Sequence, residues 1–257
     1  MAGDLKIDKR RKLILEIINQ KGTVKIKDLS TALSVSAVTV RGDLESLEAK
    51  GFLKRTAGGA ILTIKNSYKI DSINRTQKNY ALKKEIAKKI EEIIPDGSIL
   101  IINSGTTTGL AAEELKKRKR LNVVTNSIEV SLKLGCQPSM RVIMLGGEVN
   151  AQYGFVYGSD TLNELKKYKA DYAILSVDGI SEDNEFTTLH PEEAIIDRAM
   201  ISRARKVYIV ADSTKINHEG FFFVSSFSPT TTLVTDSHID KDVEQRLKEK
   251  GLNIIKA

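Results

Sequence analysis

The sequence predicts an α+β winged helix-turn-helix head followed by an α/β domain built on a mainly parallel sheet. Three observations carry this. First, the opening sixty residues hold three short helical stripes and a hairpin turned at paired glycines. Second, from Ile99 onward short aliphatic runs alternate with helical patterns, which is how a parallel sheet covered on both faces is written. Third, the charge is lopsided: residues 1–90 carry 20 Lys/Arg against 9 Asp/Glu, residues 91–257 carry 20 against 24. A basic head on a mildly acidic body points to a head that meets a polyanion.

In the head, Lys9–Gln20 places Leu13, Ile14, Ile17 and Ile18 on one helical face, and Lys21-Gly22 ends it. Thr23-Val24 suits a short strand. Ile26, Leu29 and Leu33 then predict a second helix over Lys25–Leu33. Ser34-Val35-Ser36 is a tight connection with Ser36 as N-cap. The third helix runs from Ala37 to about Lys50, with Val40, Leu44 and Leu47 inward and Gly51 as its stop. Phe52–Thr56 and Ala60–Leu62 flank Ala57-Gly58-Gly59 as a hairpin. Two helices joined by a three-residue turn, plus a hairpin, make a winged helix-turn-helix over residues 1–62. The third helix would enter the major groove by its N-terminal residues. Ser36 and Thr39 suit hydrogen bonds to phosphate or base edges, Val38 a thymine methyl, and Arg41 a guanine or a phosphate. Lys54 and Arg55 on the wing, with bare backbone at Gly58 and Gly59, suit backbone or minor-groove contact.

Residues 63–80 are polar without sustained period and read as a linker; 81–257 form the second domain. Its organising stretch is Ser98–Leu115. Ile99–Ile102 is a buried strand, Asn103–Gly109 a small polar loop, and Leu110, Ala111, Glu114 and Leu115 continue as a helix. Free N–H groups at such a helix start, with the helix dipole and nearby hydroxyls, make an anion site, so Ser104, Gly105, Thr106 and Thr107 read as a phosphate cradle. An ordinary Ser/Thr N-cap is the competing reading. Further strands end at Asn126-Ser127, Gly146-Gly147, Asp178-Gly179 and Asp212–Lys215. Ligands of open α/β sheets bind at carboxyl strand ends. Asn126 would reach the same anion or a hydroxyl, Gly146 and Gly147 would admit a ligand to the backbone, Asp178 would accept from sugar hydroxyls, and Lys215 would add positive charge. Each doubles as a plain turn residue. Glu192 and Glu193, just inside the helix that starts at Pro191, read as dipole partners. The basic run Lys116–Arg120 reads as a solvated helix end. His190, His218 and His238 show no metal spacing, so neither metal nor cofactor is expected.

Val35–Leu44, Leu47-Glu48, Gly51–Arg55 and Gly58-Gly59-Ala60 together resemble the DNA-binding head of the DeoR family of bacterial repressors. Gly42 stands where that family commonly has arginine, and Ala57 where a histidine often precedes the glycines. Gly inside a helix costs about 1 kcal/mol relative to alanine. Without a side chain at 42 the helix either comes closer to the groove or loses a phosphate contact. SGTTT, TNS, LGGEV, Gly158, VDGI, TT-xx-PEEA and ADSTK, in this order, are similar to the family's sensor domain, so the resemblance covers nearly the whole chain. It implies a Rossmann-like fold shared with ribose-5-phosphate isomerase and glucosamine-6-phosphate deaminase. It further implies a phosphorylated-sugar effector, assembly as a homodimer or tetramer, and effector control of operator affinity for carbohydrate catabolism.

With 41% hydrophobic and 28% charged residues and no apolar run near the roughly 20 residues of a membrane helix, a cytoplasmic protein without membrane contact is expected. One cysteine, Cys136, rules out an internal disulfide. The expected function is therefore a DNA-binding repressor whose second domain senses without turning over its ligand. A sugar-phosphate isomerase or deaminase with Asp178 or a glutamate as base is the competing reading, and an activator of the same architecture is a third. No titratable pair is visibly poised for acid–base work, and a catabolic enzyme has no use for a DNA head.

Overall fold

A computed structural model of the chain describes residues 10, 11, 13–15, 17, 18, 21–49, 52–61 and 75–257. Lys9, Lys50, Gly51 and Leu62, and residues 63–74 of the expected linker, lie outside the described residues. The chain divides into two compact units, Met1–Arg75 and Thr76–Ala257.

In the first unit the described residues between 10 and 18 are helical, and β1 (Thr23–Lys25), α1 (Ile26–Leu33), α2 (Ala37–Ala49), β2 (Lys54–Thr56) and β3 (Gly59–Ile61) follow. α1 ends at Ser34, whose left-handed backbone (φ 53°) reverses the chain into α2. Ile14, Ile18, Leu29, Val40, Leu44, Leu47 and Leu53 share one core. Each such aliphatic side chain contributes roughly 1.5–3 kcal/mol by leaving water. β2 and β3 form the wing hairpin, and β3 pairs on its other side with β1, all antiparallel. The turn falls on Ala57-Gly58, and Gly59 already belongs to β3. A Cβ on Gly59 would lie 1.8 Å from the Val24 carbonyl oxygen, so this glycine is what lets β1 close on the hairpin.

The second unit comprises α3 (Tyr80–Ile93), β4 (Ile99–Ile102), α4 (Thr106–Leu115), β5 (Asn122–Thr125), α5 (Ile128–Gly135) and β6 (Arg141–Met144). Then come a hairpin β7 (Glu148–Asn150) and β8 (Phe155–Tyr157), α6 (Ser159–Leu165), β9 (Ala170–Ser176), β10 (Gly179–Ile180), β11 (Glu185–Thr188) and α7 (Pro191–Ser202). β12 (Ala204–Val210), a 3-10 turn at Ser213–Lys215, β13 (Phe222–Ser226), β14 (Thr231–Thr235), α8 (Lys241–Glu249) and β15 (Asn253–Lys256) complete it.

Seven strands pair in parallel in the order β15-β14-β12-β9-β4-β5-β6. The chain winds outward from β4 through β5 and β6, then returns to β9 and winds the other way. The reversal puts the switch point between β4 and β9; in doubly wound folds the crevice for ligands lies at the carboxyl ends of such strands. Strand residues alternate between two cores. Ile101, Ala173, Leu175, Val207 and Ile209 pack with Leu165, Ala194 and Met200 of α6 and α7. Leu100, Ile102, Ile174, Tyr208 and Val210 pack with Ile86, Ala111 and Val130 of α3, α4 and α5. Burial on both faces is why these strands read as unbroken aliphatic runs. Three features were absent from the sequence reading: the β7–β8 hairpin, the small antiparallel sheet β10-β11-β13, and the edge strand β15.

Candidate functional sites

On the head, α2 turns one face to the core and the other outward. Ser36 caps it, accepting from the Thr39 N–H at 3.1 Å and sharing a 2.9 Å hydrogen bond with the Thr39 hydroxyl. Val38 is 75% exposed, and Arg41 is exposed beside it. Lys54, Arg55 and Gly58 are exposed on the wing. Arg55 is held back to α2, its Nε 3.3 Å from Glu48 and Nη1 3.8 Å from Glu45. Gly59 departs from its expected role: it is buried, and its missing side chain serves the β1–β3 contact. One residue the sequence reading did not single out fixes the helix. The Asp43 carboxylate, 3% exposed, accepts from Arg10 Nε at 2.5 Å and Nη2 at 3.1 Å and from Arg11 Nε at 3.1 Å. The hydrogen bond to Asp43 raises the proton affinity of the Arg10 guanidinium. A buried charge needs such partners, and here they tie α2 to the first helical segment.

In the second unit the ends of β4, β9 and β12 and the starts of α3, α4 and α7 close a ring around the crevice. α4 begins at Thr106 behind Gly105, with no side chain capping it, so a Ser/Thr N-cap does not explain the loop. The Gly105 backbone (φ 157°) is one that residues with a side chain rarely adopt, and a Cβ there would lie 2.5 Å from that of Ser176. Lys83 of α3, only 6% exposed, donates from Nζ to the Thr106 hydroxyl at 3.0 Å. Ser104 donates to Glu193 Oε1 at 3.3 Å. The Thr188 hydroxyl lies between two carboxylates, 2.9 Å from Glu193 Oε2 and 3.0 Å from Asp178 Oδ2. Asp178 also accepts from the Leu189 N–H at 3.1 Å and faces Lys215 Nζ at 3.4 Å. Asp212 caps the Ser213–Lys215 turn and receives Asn79 Nδ2 at 3.1 Å, which returns the ring to α3.

Beneath this ring, Asn103 donates to both Asp197 oxygens at 3.0 and 3.1 Å and to the Ser176 carbonyl at 3.0 Å. Burial, and then the nearby Glu193 charge, push the Asp197 carboxyl well above its ordinary range, against the opposing pull of Asn103. Asp236 is held below its ordinary range: burial raises it, but the Ser213 and His238 N–H groups outweigh that. Its bond to Ser213, 2.7 Å, anchors the turn that carries Lys215.

Several expected residues stand elsewhere. Thr107 and Ser104 are buried, whereas Gly105 and Thr106 keep partial exposure. Asn126 is 1% exposed, donates to the Val156 carbonyl at 3.2 Å, and leaves Oδ1 without a hydrogen-bond partner. It pins the β7–β8 hairpin, whose Tyr153 ring packs 4.1 Å from that of His190 at the start of α7. Gly146 and Gly147 lie past β6 at the sheet edge. Gly146 donates to Glu164 at 2.8 Å and accepts from Thr161 at 2.7 Å, and a Cβ on Gly147 would sit 2.1 Å from Thr161 Oγ1. The pair therefore docks α6, and both glycines keep exposed backbone. Sequence reasoning did not single out Lys83 or Thr188, and it took Glu193 only as a dipole partner. Lys83 had one visible signal: a charged residue on the buried face of α3, three residues before Ile86.

A helix-turn-helix head with an exposed face on α2, followed by a doubly wound domain with charged groups gathered at its switch point, is the architecture of a DNA-binding regulator with a sensor domain. A family model for the DeoR-like helix-turn-helix domain matches residues 10–65, and one for the DeoR C-terminal sensor domain matches residues 78–237. Among curated proteins, the glycerol-3-phosphate regulon repressor of Escherichia coli K12 is 30% identical over 97% of this chain and 99% of its own length. The lactose phosphotransferase system repressor of Lactococcus lactis is 33% identical over 91% and 93%. The transcriptional repressor GlcR of Bacillus subtilis is 31% identical over 96% and 95%. The chain belongs to the DeoR family of transcriptional regulators. No helix of the described residues is long and apolar enough to cross a membrane.

Proposed function

We propose that this regulator is a repressor in the cytoplasm that releases its operator when a phosphorylated sugar binds the crevice between β4 and β9. The observation that carries this reading is the pairing of opposite chemistries in one ring. The uncapped start of α4, Thr106 and Lys83 offer donors and positive charge for a phosphate. Opposite them, Asp178 and Glu193 offer acceptors for sugar hydroxyls, and Lys215 sits between the two sets beside Asp178. The names of relatives, a glycerol-3-phosphate regulon repressor and a lactose phosphotransferase system repressor, support a phosphorylated carbon source. On DNA, α2 enters the major groove with Val38 and Arg41 while Lys54 and Gly58 of the wing meet the backbone, and two copies read paired half-sites.

A thermal-shift screen of pentose and hexose phosphates tests the sensor. A true effector at about one hundred times its Kd adds about 2.7 kcal/mol to native stability. Replacing Thr106 and Thr107 together with valine leaves operator binding intact and removes the shift. If the double variant still releases DNA on adding the same sugar phosphate, the cradle is misplaced. Arg41→Ala costs roughly 1–3 kcal/mol of operator binding in a gel-shift titration.

A further inference from the structure

α2 carries a glycine that nothing in the head requires. Gly42 lies mid-helix in ordinary helical backbone, exposed, and a Cβ added there would meet nothing within 4 Å. Gly59 and Gly105 are different, since side chains there would strike Val24 and Ser176. Glycine inside an exposed helix costs about 1 kcal/mol relative to alanine, and among the described residues no packing, turn or left-handed backbone offsets that.

Its position on the helix gives the reason. Val38, Arg41, Gly42, Glu45 and Ala49 form the exposed stripe of α2, at i, i+3, i+4, i+7 and i+11, while Val40, Asp43, Leu44 and Leu47 are buried. Gly42 is one turn beyond Val38, so the two form an uncharged lane in the middle of the reading face. Arg55 of the wing pairs with Glu48 and reaches toward Glu45, which draws the acidic side chains of α2 toward the wing. Among base-pair edges in the major groove, the apolar group is the thymine methyl.

We infer that Gly42 is a specificity-determining position: its missing side chain lets the groove floor approach α2, and the Val38–Gly42 lane receives a thymine methyl. This rests on the reading of α2 as the helix that enters the groove.

The test uses the full-length protein and the tightest duplex selected by it from a randomised library, with a scrambled duplex of equal length as the non-specific probe. Gly42→Ala melts at a higher temperature than the parent, as helix propensity dictates, yet binds the selected duplex roughly tenfold more weakly, a loss on the scale of one mismatched base pair. Gly42→Leu binds more weakly still, and both variants hold the scrambled duplex as the parent does. Replacing single thymines by deoxyuridine, which removes only the methyl, weakens the parent about fourfold at one position per half-site, the worth of one buried methyl-sized group. The inference is overturned if Gly42→Ala binds the selected duplex as tightly as the parent, if it loses both duplexes equally, or if no thymine is sensitive to the exchange. Arg41→Ala separates the two levels. Weakening by Arg41→Ala with unchanged glycine variants sinks the Gly42 inference alone. If Arg41→Ala is silent as well, α2 is not the reading helix.

Discussion

The two units handle their polar groups in opposite ways. On the head, Val38, Arg41, Lys54 and Gly58 stand outward on one helix and one hairpin, about twenty residues of chain from end to end. In the sensor, Lys83, Thr106, Asp178, Glu193 and Lys215 come from distant parts of the chain, and each already binds another protein group. A convex site meant for a large, flat partner can be built from local sequence. A concave cluster needs several strand ends, and here its groups satisfy one another.

The sharpest break in this comparison is Asp43, a buried carboxylate of the head that is satisfied by distant side chains as the sensor groups are. Asp43→Ala leaves Arg10 and Arg11 facing a buried gap and costs about 3 kcal/mol, the scale for breaking a buried ion pair. Amide hydrogen exchange along α2 would speed markedly; unchanged protection would mean the clamp is incidental. Next comes Lys83→Met, which keeps the aliphatic stem but removes the charge. It weakens the effector by about 1.5–3 kcal/mol, the worth of a charged hydrogen bond, and leaves operator affinity as it was. Calorimetry against the sugar phosphate found by screening reads the first, a gel shift the second. A loss of both together would dissolve the distinction between the units.

The smallest effect concerns Asp197. Its folded-state affinity for protons is raised, so between the unfolded carboxyl value, near 4, and the higher folded value the unfolded chain ionises first and the native state loses ground as pH rises. Asp197→Asn keeps an acceptor for Asn103 and removes that penalty. Its melting temperature therefore gains on the parent as pH rises from about 4 toward neutrality, and the gain vanishes at lower pH. A constant gap across that range would show that Asp197 does not titrate as its burial demands.

Much of the head was legible because its determinants are local. Ile26, Leu29 and Leu33 on one helix, and Val40, Leu44 and Leu47 on the next, announce their own buried faces at helical spacing. Gly59 was misread because its partner, the Val24 carbonyl, lies 35 residues earlier and leaves no mark in the hairpin sequence. In the sensor the aliphatic strands and the Ser104–Thr107 loop were legible for the same local reason. The contact of Gly146 and Gly147 with α6 was not legible, because a glycine pair after a strand looks alike whether it admits a ligand or docks a helix. The short strands β7, β8, β10 and β11 carry two to four residues each, too few for any period to show.

By itself the sequence determined the order of the helices and of the main sheet strands up to β14, the split of charge between head and body, and the loop that starts α4, since each depends on neighbours a few residues apart. The tertiary structure alone decided that β4 lies beside β9, which makes the crevice, and that Lys83 and Glu193 reach Thr106 and Ser104 within it. The reason is physical: strand order and side-chain convergence follow from burying both faces of one sheet at once. That condition belongs to the whole chain and to no single stretch of it.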